Sequence, residues 1–211
     1  MIRYDKRVWI LGAALSALAG YVDAIAFVEL GGFFVSFMSG NSTRLGVGLS
    51  QALSAAGIAS SLVGAFVAGV IAGTITGRFV RSQRSSAVLA LVAVSLAGAA
   101  LLGGAGAQMP AALFMAAAMG AENAIFEREG EVTVGLTYMT GTLVKLGQRL
   151  AAAMMGGPRL AWLPYLLLWA GLVGGAAAGA LAHSEFGIVA LWAAAAAAAL
   201  LAPIANWLAP N

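Results

Sequence analysis

The chain has 211 residues, 62% of them hydrophobic and only 9% charged, with a net charge of +3. Soluble domains carry about 25% charged residues, so a surface this poor in charge excludes water as the main solvent and points to lipid. Apolar segments of roughly 20 residues each occupy nearly all of these residues and leave no room among them for a soluble domain. The lack of cysteine excludes disulfides and thiolate metal sites.

Arg3, Lys6 and Arg7 precede the first apolar run, Val8–Val28. That pattern is also one of a signal peptide. The run is long enough to span, however, and its last residues belong to the repeat described below, so an uncleaved first span is expected. Seven further apolar segments follow: Phe33–Leu53, Ile58–Phe79, Ala87–Ala107, Pro110–Phe126, Val132–Met155, Trp162–Ala182 and Gly187–Leu208. Pro110 and Pro164 suit helix starts, where no amide hydrogen is needed. The second and sixth segments differ from the rest. Phe33–Leu53 holds Ser36, Ser39, Gly40, Asn41, Ser42, Thr43 and Arg44, and Val132–Met155 holds Thr137, Thr140, Gly141, Thr142, Lys145 and Arg149. A charged group at the centre of a span costs about 2.5–3.5 kcal/mol, so neither segment is expected to cross lipid as a plain helix.

Charge decides how they run. Arg3, Lys6 and Arg7 place the N-terminus in the cytoplasm. The next dense cluster is Arg78, Arg81 and Arg84. If all eight segments cross, that cluster lies outside. If the second segment enters and leaves on one side, the cluster lies inside. The same device at the sixth segment keeps Lys145, Arg149 and Arg159 inside and leaves His183 and Glu185 outside. Six spans plus two re-entrant hairpins, 33–53 and 132–155, are therefore expected, with both termini cytoplasmic.

The two halves match. Gly20, Asp23, Ala24 and Ile25 recur as Gly120, Asn123, Ala124 and Ile125. Met38-Ser39-Gly40 recurs as Met139-Thr140-Gly141, and Arg44-Leu45-Gly46 as Lys145-Leu146-Gly147. Gly69, Gly73 and Gly77 recur as Gly171, Gly175 and Gly179. The expected fold is thus an all-α membrane protein built as a 3+3 inverted-topology repeat, with units 1–107 and 108–211, because three crossings per unit turn the second unit over. Glycines at i, i+4 and i+8 let backbones approach. The ladders are expected to form the contact between the third and seventh segments.

With Asp23, the stretch Met38–Gly46 and its partner 139–147, the chain resembles the YoaK-like family of small bacterial membrane proteins over roughly Gly20–Ala182. The resemblance implies an integral inner-membrane protein of about six helices, and no particular substrate. Serine stands at 39 where the family usually has threonine, and Arg44 is less typical of it.

The expected site lies where the glycine-broken segments meet. Backbone that leaves the helix at membrane depth must be buried in protein or line water. The candidate solute-binding residues are Asp23, Ser39, Gly40, Asn41, Arg44, Glu122, Asn123, Thr140, Gly141, Thr142 and Lys145. Half-helix ends facing a cavity, with Arg44 and Lys145 one turn further on, would suit an anion. Set against this, both cations can snorkel to the interface, and Asp23 can be a helix-end residue bonded to hairpin backbone. Glu29, Glu127, Glu129 and Glu131 read as solvated loop residues. No catalytic motif stands out, so no enzyme, cofactor or metal is expected. The function read from the sequence is a small-solute transporter in the bacterial inner membrane. The alternatives are a passive channel and a non-transporting scaffold. The expected partners are the lipid bilayer, a small solute and a second copy of the chain, with no nucleic acid.

Overall fold

The computed structural model describes residues 6–128, 131–132 and 135–208, with side chains for 7–126 and 135–208. The roles expected of Arg3, Glu127, Glu129 and Glu131 fall outside the described side chains. Six helices are long and apolar: α1 (Lys6–Glu29), α3 (Leu53–Phe79), α4 (Arg84–Gly104), α5 (Gln108–Glu122), α7 (Leu163–Phe186) and α8 (Leu191–Leu208). Two more are polar, α2 (Met38–Gln51) and α6 (Met139–Met154). Helical stretches with the length and composition to cross a bilayer cover 7–29, 53–79, 81–104, 108–126 and 163–208. The last contains both α7 and α8, which part at Gly187, where φ is 60°. One departure from an all-helical chain is the short antiparallel pair of β1 (Glu127–Arg128) and β2 (Glu131–Val132).

Glycine decides which helices touch. A Cβ at Gly171 would lie 2.5 Å from the Ala13 carbonyl oxygen, and Cβ atoms at Gly175 and Gly179 would overlap the carbonyl oxygens of Ala17 and Tyr21. From the other side, a Cβ at Gly20 would overlap the Leu172 carbonyl. Helices α1 and α7 therefore lie backbone to backbone and run in the same direction. In the other half, Gly69 meets Ala117, Gly73 meets Ala121 and Gly120 meets Phe66, so α3 and α5 pack the same way. This corrects the expectation that the two ladders face each other across α3 and α7. The physical reason is complementary smallness. Ala13, Ala17 and Gly20 on α1, and Ala117, Gly120 and Ala121 on α5, offer faces as flat as the ladders themselves, which close van der Waals packing requires. On α3 the opposite side from the ladder carries Val67, Ile71 and Ile75, each about half exposed, at 50%, 55% and 48%. That is a face suited to lipid.

The remaining contacts set helix direction. At one end of α4, the Ser86 N–H donates to Asn206 Oδ1 at 3.3 Å, and the Ser86 hydroxyl donates to the Ala202 carbonyl. At the other end, Gly103 lies against Ile188, just before α8. Helices α4 and α8 are therefore antiparallel. Helix α8 is also antiparallel to α1, because the Tyr21 hydroxyl donates to Ala190 O at 3.0 Å while the Arg7 guanidinium lies 4.2 Å from the Trp207 ring centre. Tight turns reverse the chain between α3 and α4, where Gly77 meets Arg84, and between α4 and α5, at Gly106 with φ 80°. Helices α1, α4 and α7 thus run one way, and α3, α5 and α8 the other.

Two consequences position the site. The end of α1 and the start of α3 lie at the same end of the bundle, as do the end of α5 and the start of α7. The cations also gather at one end, with Arg7, Arg78, Arg81 and Arg84 near helix termini that share it. The opposite end holds Glu29, whose Oε1 lies 2.7 Å from His183 Nε2 and whose Oε2 accepts from Gln108 at 3.4 Å. Glu29 is therefore a bonded helix-end residue, not the solvated loop residue expected.

Candidate functional site

Beyond α1 the chain turns at Gly31 and Gly32, with φ of 62° and 100°, backbone conformations that cost glycine little. It then runs back along α1 as an extended limb. The Asp23 carboxylate accepts the backbone N–H groups of Val35 at 2.7 Å and of Ser36 at 2.9 Å. Asp23 precedes the last residue of α1 by six positions, a depth of about 9 Å at 1.5 Å per residue. Helix α2 starts there and climbs back to Ala52, whose extended backbone turns the chain directly into α3. Asn41 holds the limb to the helix. Its Oδ1 accepts from the Phe34 N–H at 3.1 Å and its Nδ2 donates to the Phe34 carbonyl at 2.5 Å. Both polar groups of an extended residue are thereby satisfied without water.

Ahead of α6 the described residues show a comparable set of ties. Asn123 Oδ1 accepts from the Thr137 hydroxyl at 3.3 Å, and Asn123 Nδ2 donates to the Met119 carbonyl at 2.9 Å. The Ser16 hydroxyl of α1 donates to Leu136 O at 3.1 Å. Helix α6 begins two residues after Thr137.

The starts of α2 and α6 face one cavity of about 280 Å³. Ser36, Phe37, Met38 and Ser39 line one side, and Thr137, Tyr138, Met139, Thr140 and Gly141 the other, with Phe66 of α3 between them. The two walls carry the same order of side chains: hydroxyl, aromatic, methionine, hydroxyl. Sequence reasoning missed Ser36, Phe37, Met38, Thr137, Tyr138, Met139 and Phe66 as site residues. A signal for the first six was present, because Met38 and Met139 belong to the motif and the match extends two residues upstream of them, as SFMSG against TYMTG. Nothing in the sequence marked Phe66.

The candidate residues divide. Ser39, Thr140 and Gly141 line the cavity. Gly40 sits behind it, where a Cβ would come within 2.5 Å of the Phe37 ring. Asn41 and Thr142, each one residue past the glycine, are buried, and Asp23 and Asn123 tie down the limbs. Glu122 is fully buried, and neither of its carboxylate oxygens has a hydrogen-bond partner. Arg44 lies over the Phe33 ring at 4.7 Å, and Lys145 is exposed on α6. Neither cation is on the cavity wall, so the pair expected to attract an anion is not assembled there. The glycines also act differently from expectation. Gly40 and Gly141 lie inside the first turns of α2 and α6, and the chain leaves helical geometry before them.

The family model described as a protein of unknown function (DUF1275) matches residues 11–204. A UPF0700 transmembrane protein of Rhizobium meliloti (strain 1021) is 45% identical over 194 residues, which cover 90% of this chain and 83% of that one. No solved structure matches the chain. The buried glycine contacts, the apolar outer faces and the paired motifs are thus those of a membrane protein, and the chain belongs to the DUF1275 family of transmembrane proteins, as its resemblance to YoaK-like proteins implied.

Proposed function

We propose that the chain is a small-solute permease of the bacterial inner membrane, with six spans, two re-entrant segments and an inverted repeat. The helix directions support this layout. Because α1 ends and α3 begins on one side, the 30–52 stretch returns to the side it left, while the end of α5 and the start of α7 lie together on the other. The cation-rich end is then cytoplasmic and carries both termini, in keeping with the excess of Lys and Arg on cytoplasmic loops.

The observation that carries the function is the shared cavity. Two equivalent stretches from opposite halves put the same four kinds of side chain around one space, the arrangement in which inverted-repeat transporters hold solute near the midplane. Its wall has hydroxyls, two thioethers and three aromatic rings, with no charged side chain. We read the solute as small and uncharged, with an apolar face for the rings and polar atoms for the hydroxyls. A scaffold would have no use for a cavity reaching both segments. The polar outer faces of α2 and α6, including Thr43, Lys145 and Gln148, are exposed in the single chain, and a second copy would cover them.

Gly141 offers a clean test, because a Cβ there meets nothing within 4 Å while the residue lines the cavity. In proteoliposomes screened with neutral and anionic metabolites, Gly141→Phe should abolish any flux found while leaving the protein folded. Flux that survives this plug would place the pathway elsewhere.

A further inference from the structure

Glu122 is the one ionisable side chain among the described residues that is fully buried, and both of its oxygens lack a partner. Buried polar atoms are nearly always bonded, and an exception calls for a reason. Packing does not supply one. The equivalent position in the first half is Val22, also fully buried, so the fold fills this place with a hydrocarbon when no chemistry is needed. Ionisation does not supply one either, because a bare carboxylate in an apolar interior costs several kcal/mol without a cation or donors beside it.

The charged groups on the helices packed around it are engaged elsewhere or exposed. Arg84 of α4 donates to the Ala124 carbonyl through Nε at 3.3 Å and through its terminal nitrogen at 3.1 Å. Arg78 of α3 is exposed. On α1, Asp23 holds the first limb and Glu29 faces His183. Tyr21 of α1 donates to Ala190. What remains to complement this carboxyl is a proton.

Position gives that proton a use. The next residue, Asn123, accepts from Thr137, whose side chain is on the cavity wall. We propose that Glu122 is a proton-binding site in the core of the bundle, which gains a proton as a neutral carboxylic acid and gives it up reversibly as the surrounding pH rises. The site itself stands without the permease reading. Only its coupling to solute movement rests on that reading.

The test is infrared spectroscopy of the full chain in lipid, titrated from acid to alkaline pH. The wild type should show a protonated-carboxyl carbonyl band that disappears and returns reversibly. Glu122→Gln should lack it, Asp23→Asn should keep it, and Glu122→Asp should shift it. A wild-type spectrum without a reversible band overturns the proposal even if Glu122→Gln does not fold, and so does an unchanged band in folded Glu122→Gln. A wild-type band of this kind in a protein that moves no solute upholds the proton site and rejects the permease.

Discussion

Asp23 holds Val35 by a 2.7 Å hydrogen bond to its backbone N–H, and this contact draws the chain back beside the helix it has just left. The same carboxylate takes the Ser36 N–H, so one side chain supplies the acceptors that a neighbouring strand would supply in a sheet. Among the described residues of the other limb, Asn123 takes the Thr137 hydroxyl, and its Nδ2 is engaged by Met119 within α5. The first limb is therefore tied more strongly than the second, since hydrogen bonds to charged groups are the stronger kind.

Removing the tie should show this difference. Asp23→Ala leaves two buried N–H groups without an acceptor and should cost about 2–4 kcal/mol. Asp23→Asn keeps one acceptor oxygen and should cost less. Asn123→Ala should be the mildest of the three. Thermal unfolding in detergent ranks them, and equal losses for Asp23→Ala and Asn123→Ala would contradict the asymmetry.

Neighbouring glycines on α7 should respond in opposite ways. A Cβ at Gly175 collides with the Ala17 backbone, whereas one at Gly174 meets nothing within 4 Å. Gly175→Ala should lose about 1–3 kcal/mol through forced separation of α1 and α7. Gly174→Ala should be neutral or slightly stabilising, because alanine suits a helix better than glycine does. Unfolding of the two variants in mixed detergent compares them directly.

The layout can be mapped with single cysteines, since the chain has none of its own. Gln51 and Met155 are exposed near the ends of α2 and α6. Gln51→Cys should react with an impermeant maleimide added outside the cell, and Met155→Cys only after the cytoplasmic face is opened. If both label from one side, the two segments do not enter from opposite faces.

The two motif cations should matter little to solute. Arg44→Ala loses the stack on Phe33, worth about 0.5–1 kcal/mol at a partly exposed site, and Lys145→Ala loses an exposed charge. Flux of a neutral solute in proteoliposomes should stay within about twofold of wild type for both, a change of about 0.4 kcal/mol or less. A tenfold loss in either would return charge to the transport pathway.

Composition and the run of apolar segments determine that this is a membrane protein, which segments are apolar, and which two are more polar than the rest. These features are local, and lipid reads them residue by residue. Pairing is different, because it depends on surfaces that lie far apart in the chain. The glycine ladders are plain in the sequence, but their partners are the alanine faces of α1 and α5, and an alanine-rich chain offers many such faces. The bonding of Asp23 to Val35 and Ser36, the placing of Arg44 on Phe33, the entry of Phe66 into the cavity and the isolation of Glu122 were decided by tertiary structure alone. The first two depend on where a limb without regular hydrogen bonding comes to rest, which is set by the nearest groups able to satisfy its backbone, and the last two on how the helices pack.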